Sequence, residues 1–87
     1  MVNPVNMVVS VYLLQLFNRT HFTGITNNIQ RRLSEHQSGY SKSTRHYLPV
    51  KLIFTQEFPN RKKARRMEVK IKNLGAKKHL NKLRFSP

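Results

Sequence analysis

The sequence predicts one small α/β domain of the α+β kind, with its elements in the order ββαβαα. Three observations predict it. The run VVSVYLLQLF is rich in β-branched and aromatic residues, and Asn18-Arg19-Thr20 makes a hairpin turn from it into a second, shorter run of strand character. Two later segments repeat apolar residues at helical spacing, each behind an asparagine able to cap a helix. The 87 residues make one small core and leave no room for a second.

Residues 1–6, with Pro4 and two asparagines, read as a loose lead-in to the first strand at 8–17. Alternation along that strand places Ser10, Tyr12, Leu14 and Leu16 on one face and Val9, Val11 and Leu13 on the other. After the turn, 21–25 forms the second strand. A helix starts near Asn27, capped by it and closed by Gln30 three residues on as a capping box. Ile29, Leu33 and His36 share one face of this helix, and Arg32 lies one turn before His36. Residues 37–48, with Gly39, several hydroxyls and Pro49 just beyond, read as a basic polar loop, and 50–56 as the third strand. Pro59-Asn60 opens the second helix, whose Ala64, Met67, Ile71 and Leu74 make a buried stripe. Glu68 lies beside that stripe and so points toward the core, and Gly75 ends the helix. A last short helix at 76–83 turns Leu80 and Leu83 inward.

Composition narrows the partner. Seventeen Lys and Arg against three acids give a formal charge of +14, so a polyanion is the natural ligand: nucleic acid first, with ribosomal RNA and anionic membrane as rivals on charge alone. The apolar stretch 7–17 is too short and too interrupted to cross a bilayer, and it lacks the flanks of a secretory signal, so no membrane segment is expected. Cysteine is absent, which excludes disulfides, thiolate zinc sites and cysteine nucleophiles and points to the cytoplasm or the nucleoid.

There is no aspartate, and Glu35, Glu57 and Glu68 are the only carboxylate side chains. A two-metal nuclease, an aspartic protease and a serine hydrolase with an Asp all fail on that count. No Gly-rich phosphate loop is present, and one-metal chemistry or none remains. His21, His46 and His79 have no ligand-like spacing and are expected at the surface, so zinc is not supported.

The ordered set VYLL, FTGIT, NNIQRRLSEHQSG, LPVKLIFTQEF and RKKARRMEVKIKNL resembles the GIY-YIG nuclease superfamily, and within it the small stand-alone bacterial members related to the N-terminal domain of the excision-repair incision subunit. The likeness covers about residues 8–83. It implies a three-stranded antiparallel sheet flanked by helices. It also implies that Tyr12 is the first motif tyrosine, that Phe22 stands where the second would be, and that Gly24 is the motif glycine. Arg32, His36 and Glu68 match the family arginine, histidine and glutamate, while Asn81, or less well Asn73, stands near the place of the late asparagine.

The implied chemistry is phosphodiester hydrolysis with one divalent ion, Mg²⁺ or Mn²⁺, held by Glu68. Arg32 neutralises charge at the phosphate. Tyr12 orients water or, if cations lower its pKa from about 10, accepts its proton, and His36 assists. Phe22 departs from the pattern, because a phenyl ring can neither hydrogen-bond water nor lose a proton. Without the resemblance each residue has a plainer reading: Tyr12 a half-buried strand aromatic, Arg32 a solvated helix cation, Glu68 a partner of Lys72 or Arg65.

Two readings follow. One is an endonuclease of low sequence specificity acting on DNA rather than RNA, monomeric, and taking its address from DNA shape or from a partner protein. The other is a binding module that kept the fold and lost the chemistry. In either case Lys42, Arg45, Lys62, Lys63 and Arg66 are candidate backbone contacts, and Tyr40 and Tyr47 either anchor the basic loop or stack on a base.

Overall fold

The computed structural model describes residues 8–84, with side chains through 82. The expected lead-in at 1–6 and the inward packing of Leu83 lie outside them. The elements are β1 (Val9–Gln15), β2 (His21–Thr26), α1 (Ile29–Gln37), a single 3₁₀ turn (Arg45–Tyr47), β3 (Lys51–Phe58), α2 (Arg61–Leu74) and α3 (Ala76–Arg84). The expected order ββαβαα stands, and the three strands form an antiparallel sheet in the order β2-β1-β3.

β1 is central and covered on both sides, which is why its sequence is almost continuously apolar. Val9, Val11 and Leu13 pack with Ala64 and Ile71 of α2 on one face. Tyr12, Leu14, Leu16 and Val50 form a second cluster on the other, roofed by Ile29 and Leu33 of α1. Each fully buried aliphatic side chain contributes roughly 1.5–3 kcal/mol, so the alternation in β1 fixes its register between the two layers. A one-residue irregularity in the β1–β3 pairing, where Leu13 faces Phe54 but Leu14 faces Leu52, turns both Ile53 and Phe54 toward the α2 layer.

The start of α1 differs from expectation by one residue. Asn28, not Asn27, is the cap: its Oδ1 accepts the Arg31 N–H at 3.0 Å. The reason lies in Thr26, whose Oγ1 accepts the Asn28 N–H at 3.1 Å and keeps Asn28 extended as the strand ends. In α2 the cap is Asn60 as read, with Oδ1 accepting from Lys63 N–H at 2.9 Å. Gly75 closes α2 at φ 96°, a conformation that side chains disfavour, and its N–H reaches the Ile71 carbonyl at 2.7 Å.

Three further expectations are corrected. Leu74 is exposed, and Leu80 of α3 packs against the α2-side core in its place. The segment after α1 is not merely a polar surface loop: Ser41 and Thr44 are buried, and the 3₁₀ turn Arg45–Tyr47 interrupts it. His79 is buried edge-on against Phe54 at 5.1 Å between ring centres, because it lies on the face of α3 that meets the sheet, and its Nε2 has no partner among the described residues. Among the described residues no helix is long and apolar enough to cross a membrane.

The buried histidines predict an acid-labile fold. Burial, with Lys82 and Lys70 adding to it, pushes His79 below the usual imidazole pKa, and burial with Arg32 does the same to His36. A depressed pKa means the unfolded chain binds these protons first, so stability is full above about pH 6.5 and falls as pH drops through the folded-state values. Histidine is the side-chain type that titrates between pH 5 and 8. The urea midpoint is therefore expected to decrease from pH 7.5 to pH 5, and to decrease less in His79→Phe. A midpoint that stays level over that range contradicts the account.

Candidate active site

Tyr12 sits in the middle of β1, opposite Gly24 of β2. Its ring crosses that glycine so closely that an added Cβ at Gly24 would lie 2.6 Å from Oη and 2.7 Å from Cζ. The requirement for glycine here is one of approach, since a real Cβ contact at that distance forces the phenol aside. Gly24→Ala is accordingly expected to lower the melting temperature and to displace Tyr12, visible as loss of the Tyr12–His36 contact in NMR spectra. Unchanged stability and spectra would show that the close approach has no weight.

The phenol meets α1 through His36. Tyr12 Oη and His36 Nε2 are 2.9 Å apart, and His36 Nδ1 lies 2.8 Å from Thr44 Oγ1. All three side chains are essentially excluded from solvent, at 1%, 0% and 0% exposure, which makes this a braced polar chain inside an apolar layer rather than a surface contact. Phe22 stands edge-on to His36 with ring centres 5.0 Å apart and 6.2 Å from Tyr12. Residue 22 thus supplies packing, and the polar partner of Tyr12 comes from α1.

Charged groups from two helices bear on this phenol. Burial raises the Tyr12 pKa, the Arg32 guanidinium opposes the rise, and Glu68 and Glu35 add to it. The expectation that cations would lower this pKa is therefore corrected, because desolvation outweighs the one guanidinium close enough to matter. Arg32 Nη1 donates to Glu35 Oε1 at 2.9 Å, and Nη2 reaches Ser41 Oγ at 3.5 Å, so the guanidinium is aimed by its own helix and by the following loop while staying partly exposed. Glu68, on α2, is mostly buried at 12% side-chain exposure, and its Oε2 pairs with Lys72 Nζ at 3.2 Å. A cleft of about 360 Å³ opens beside this group, between His21, Phe22 and Thr23 of β2 and Ile71 and Lys72 of α2.

Tyr12 of β1 thus meets His36 of α1 directly and feels the charges of Arg32 on α1 and Glu68 on α2, so side chains of three elements bear on one phenol. The cations divide. Lys42 and Arg45 belong to the segment that braces His36, whereas Lys63 and Arg66 line a separate groove of about 440 Å³ with Phe58, Met67 and Lys70. Lys62 is exposed near the start of α2, and Asn73 and Asn81 are both exposed. Sequence reasoning missed Thr44, which nothing in a polar loop distinguishes, and Glu35, which the three-residue spacing from Arg32 signals.

Among the described residues no group of three or more His, Cys, Asp or Glu could enclose a metal. A single recessed carboxylate still fits an ion that keeps several waters and takes its remaining ligands from phosphate, as Mg²⁺ commonly does.

Residues 9–82 match the family model described as the GIY-YIG catalytic domain. A UPF0213 protein of Natronomonas pharaonis is 39% identical over 69 residues, covering 78% of this chain and 81% of that protein. A UPF0213 protein of Halobacterium salinarum is 40% identical over 65 residues, covering 74% and 84%. The solution NMR structure of a UPF0213 protein from Bacillus halodurans superposes with a TM-score of 0.57 at 34% identity, over 93% of this chain and 89% of that one. The names of these relatives state no activity.

Proposed function

The chain belongs to the GIY-YIG catalytic domain family, a family of nucleases, and from that premise we propose that it is a metal-dependent endonuclease that hydrolyses phosphodiester bonds in DNA. Its sequence specificity is low, and the address comes from DNA structure or from a partner protein. The observation that carries this reading is that His36, Arg32 and Glu68, from two helices, all bear on the Tyr12 phenol, which lies across Gly24.

Glu68 would hold one Mg²⁺ or Mn²⁺, which when bound would supply Lewis-acid stabilisation of charge on the phosphate and leaving oxygen. The chain's own groups handle the water. Neutral His36, with Nδ1–H donating to Thr44 Oγ1, accepts the Tyr12 hydroxyl at Nε2. Once the bound phosphate opens the packing that covers Tyr12 Oη, the water attacking phosphorus passes its proton to Oη while the proton of Tyr12 passes to His36 Nε2. The P–O ester bond breaks, and the leaving oxygen takes a proton from solvent. A phenol with a raised pKa suits this relay, since it stays protonated until both transfers occur together. Arg32, held by Glu35, presents its exposed edge to the phosphate oxygens.

Phe22 and the Glu68–Lys72 ion pair favour a second reading, a nucleic-acid-binding module without cleavage. Incubation of the protein with nicked, branched and single-stranded DNA separates the two. Strand scission in Mn²⁺ that EDTA abolishes is expected. Salt-sensitive binding with no scission in any metal supports the module instead.

A further inference from the structure

The far end of the sheet carries a feature that hydrolysis at Tyr12 does not use. Phe17, just after β1, is 72% exposed, and Tyr47, in the 3₁₀ turn, is 43% exposed. The two are tied together: the Phe17 N–H donates to the Tyr47 carbonyl at 2.8 Å. The turn that presents Phe17 is itself pinned. Leu16 N–H reaches the Thr20 carbonyl and Arg19 N–H the Leu16 carbonyl, both at 2.9 Å, while Asn18 Oδ1 accepts from the Thr20 N–H and hydroxyl. A phenyl ring held outward on a braced turn gains nothing from the core.

Its surroundings are cationic. Arg19 shares the turn of Phe17, Arg45 shares the turn of Tyr47, and Lys51, the partner of Gln15 at the same end of the sheet, is exposed with both. Glu57 faces Ser10 at the opposite end. Two exposed aromatic side chains on hydrogen-bonded segments, with cations beside them, match single-stranded nucleic acid, whose bases present open faces and whose phosphates run beside them. A second copy of so basic a chain is repelled, and the bases of a duplex are already stacked on one another. Even at full strand rise the five steps from Tyr12 to Phe17, which leave β1 after Gln15, span no more than about 17 Å, so a nucleotide chain can reach from the phosphate site to the aromatic pair.

We infer that Phe17 and Tyr47 form a stacking platform for unpaired bases, flanked by Arg19, Arg45 and Lys51, which directs the protein to single-stranded flanks and junctions. The inference rests on the nuclease reading for its purpose, though not for its measurement. In EDTA, the affinity for a short fluorescent oligothymidylate and for a duplex of equal length is read by anisotropy in wild type, in Phe17→Ala/Tyr47→Ala and in Phe17→Trp. The double variant is expected to lose about tenfold or more on the single strand and less than about twofold on the duplex, while Phe17→Trp retains wild-type affinity. Equal affinities in wild type and double variant, or equal losses on both ligands, overturn the platform. So does a double variant that keeps the oligothymidylate but loses anionic phosphatidylglycerol vesicles, which assigns the patch to membrane. Wild-type protein that shows the strand preference but never cleaves overturns the nuclease reading and leaves the platform standing.

Discussion

Glu68→Gln is expected to reduce metal-dependent cleavage by about 10³-fold or more, with nucleic-acid affinity held or slightly increased. The carboxylate is mostly buried, and the other acid that bears on Tyr12, Glu35, is engaged by Arg31 and Arg32, so it does not replace Glu68 as a metal ligand. Loss of ion-mediated charge stabilisation costs several kcal/mol of barrier, and each 1.36 kcal/mol is tenfold in rate. The amide is isosteric, so the α2 packing survives, and removal of one acid makes the chain more cationic. The plain ion-pair reading gives a very different size: an i,i+4 pair with Lys72 is worth about 0.3–0.5 kcal/mol, and its loss alone changes cleavage little. Single-turnover rates beside anisotropy decide between them. A variant that cleaves within a few-fold of wild type leaves Glu68 as a structural partner of Lys72.

Tyr12→Phe is the second large effect. The substitution removes one oxygen and leaves the ring over Gly24, so the sheet is undisturbed while the relay to His36 is cut. Positioned proton transfer contributes about 10²–10⁴-fold, and that is the expected fall in cleavage rate. It also strips the buried His36 Nε2 of its hydroxyl, at a cost of about 1–3 kcal/mol in stability. The two readouts separate chemistry from folding: a rate loss of that size persists at temperatures where the variant is fully folded. If the folded variant cleaves normally, the phenol is only a strut for His36.

Much of this arrangement was legible in the residues. The alternation from Val9 to Leu14 assigned both core faces of β1, because a central strand covered on each side must be apolar throughout yet still alternate its direction. Asn60 and Gly75 marked the ends of α2 through chemistry confined to those positions. The cap was read at Asn27 and falls instead on Asn28, which the Thr26 hydroxyl holds extended as the strand ends. Leu74 matched the helical period but stands exposed in the last turn of α2, where periodicity alone does not say what covers a side chain. The sign of the Tyr12 shift was not readable, because a count of cations says nothing about how deeply a phenol is buried. His79 gained its surroundings from β3, distant in sequence, and Thr44 met His36 eight residues back across an irregular segment, so no periodic pattern announced either.

Paramagnetic broadening of the NMR spectrum by Mn²⁺, in the presence of a non-cleavable oligonucleotide, reads directly whether one metal-bound phosphate lies within reach of all the groups assigned to it. Signals of Glu68, the Arg32 side chain and Tyr12 are expected to broaden first and together, and to sharpen again in Glu68→Gln. Broadening centred on another part of the sheet, or indifferent to that substitution, contradicts the account.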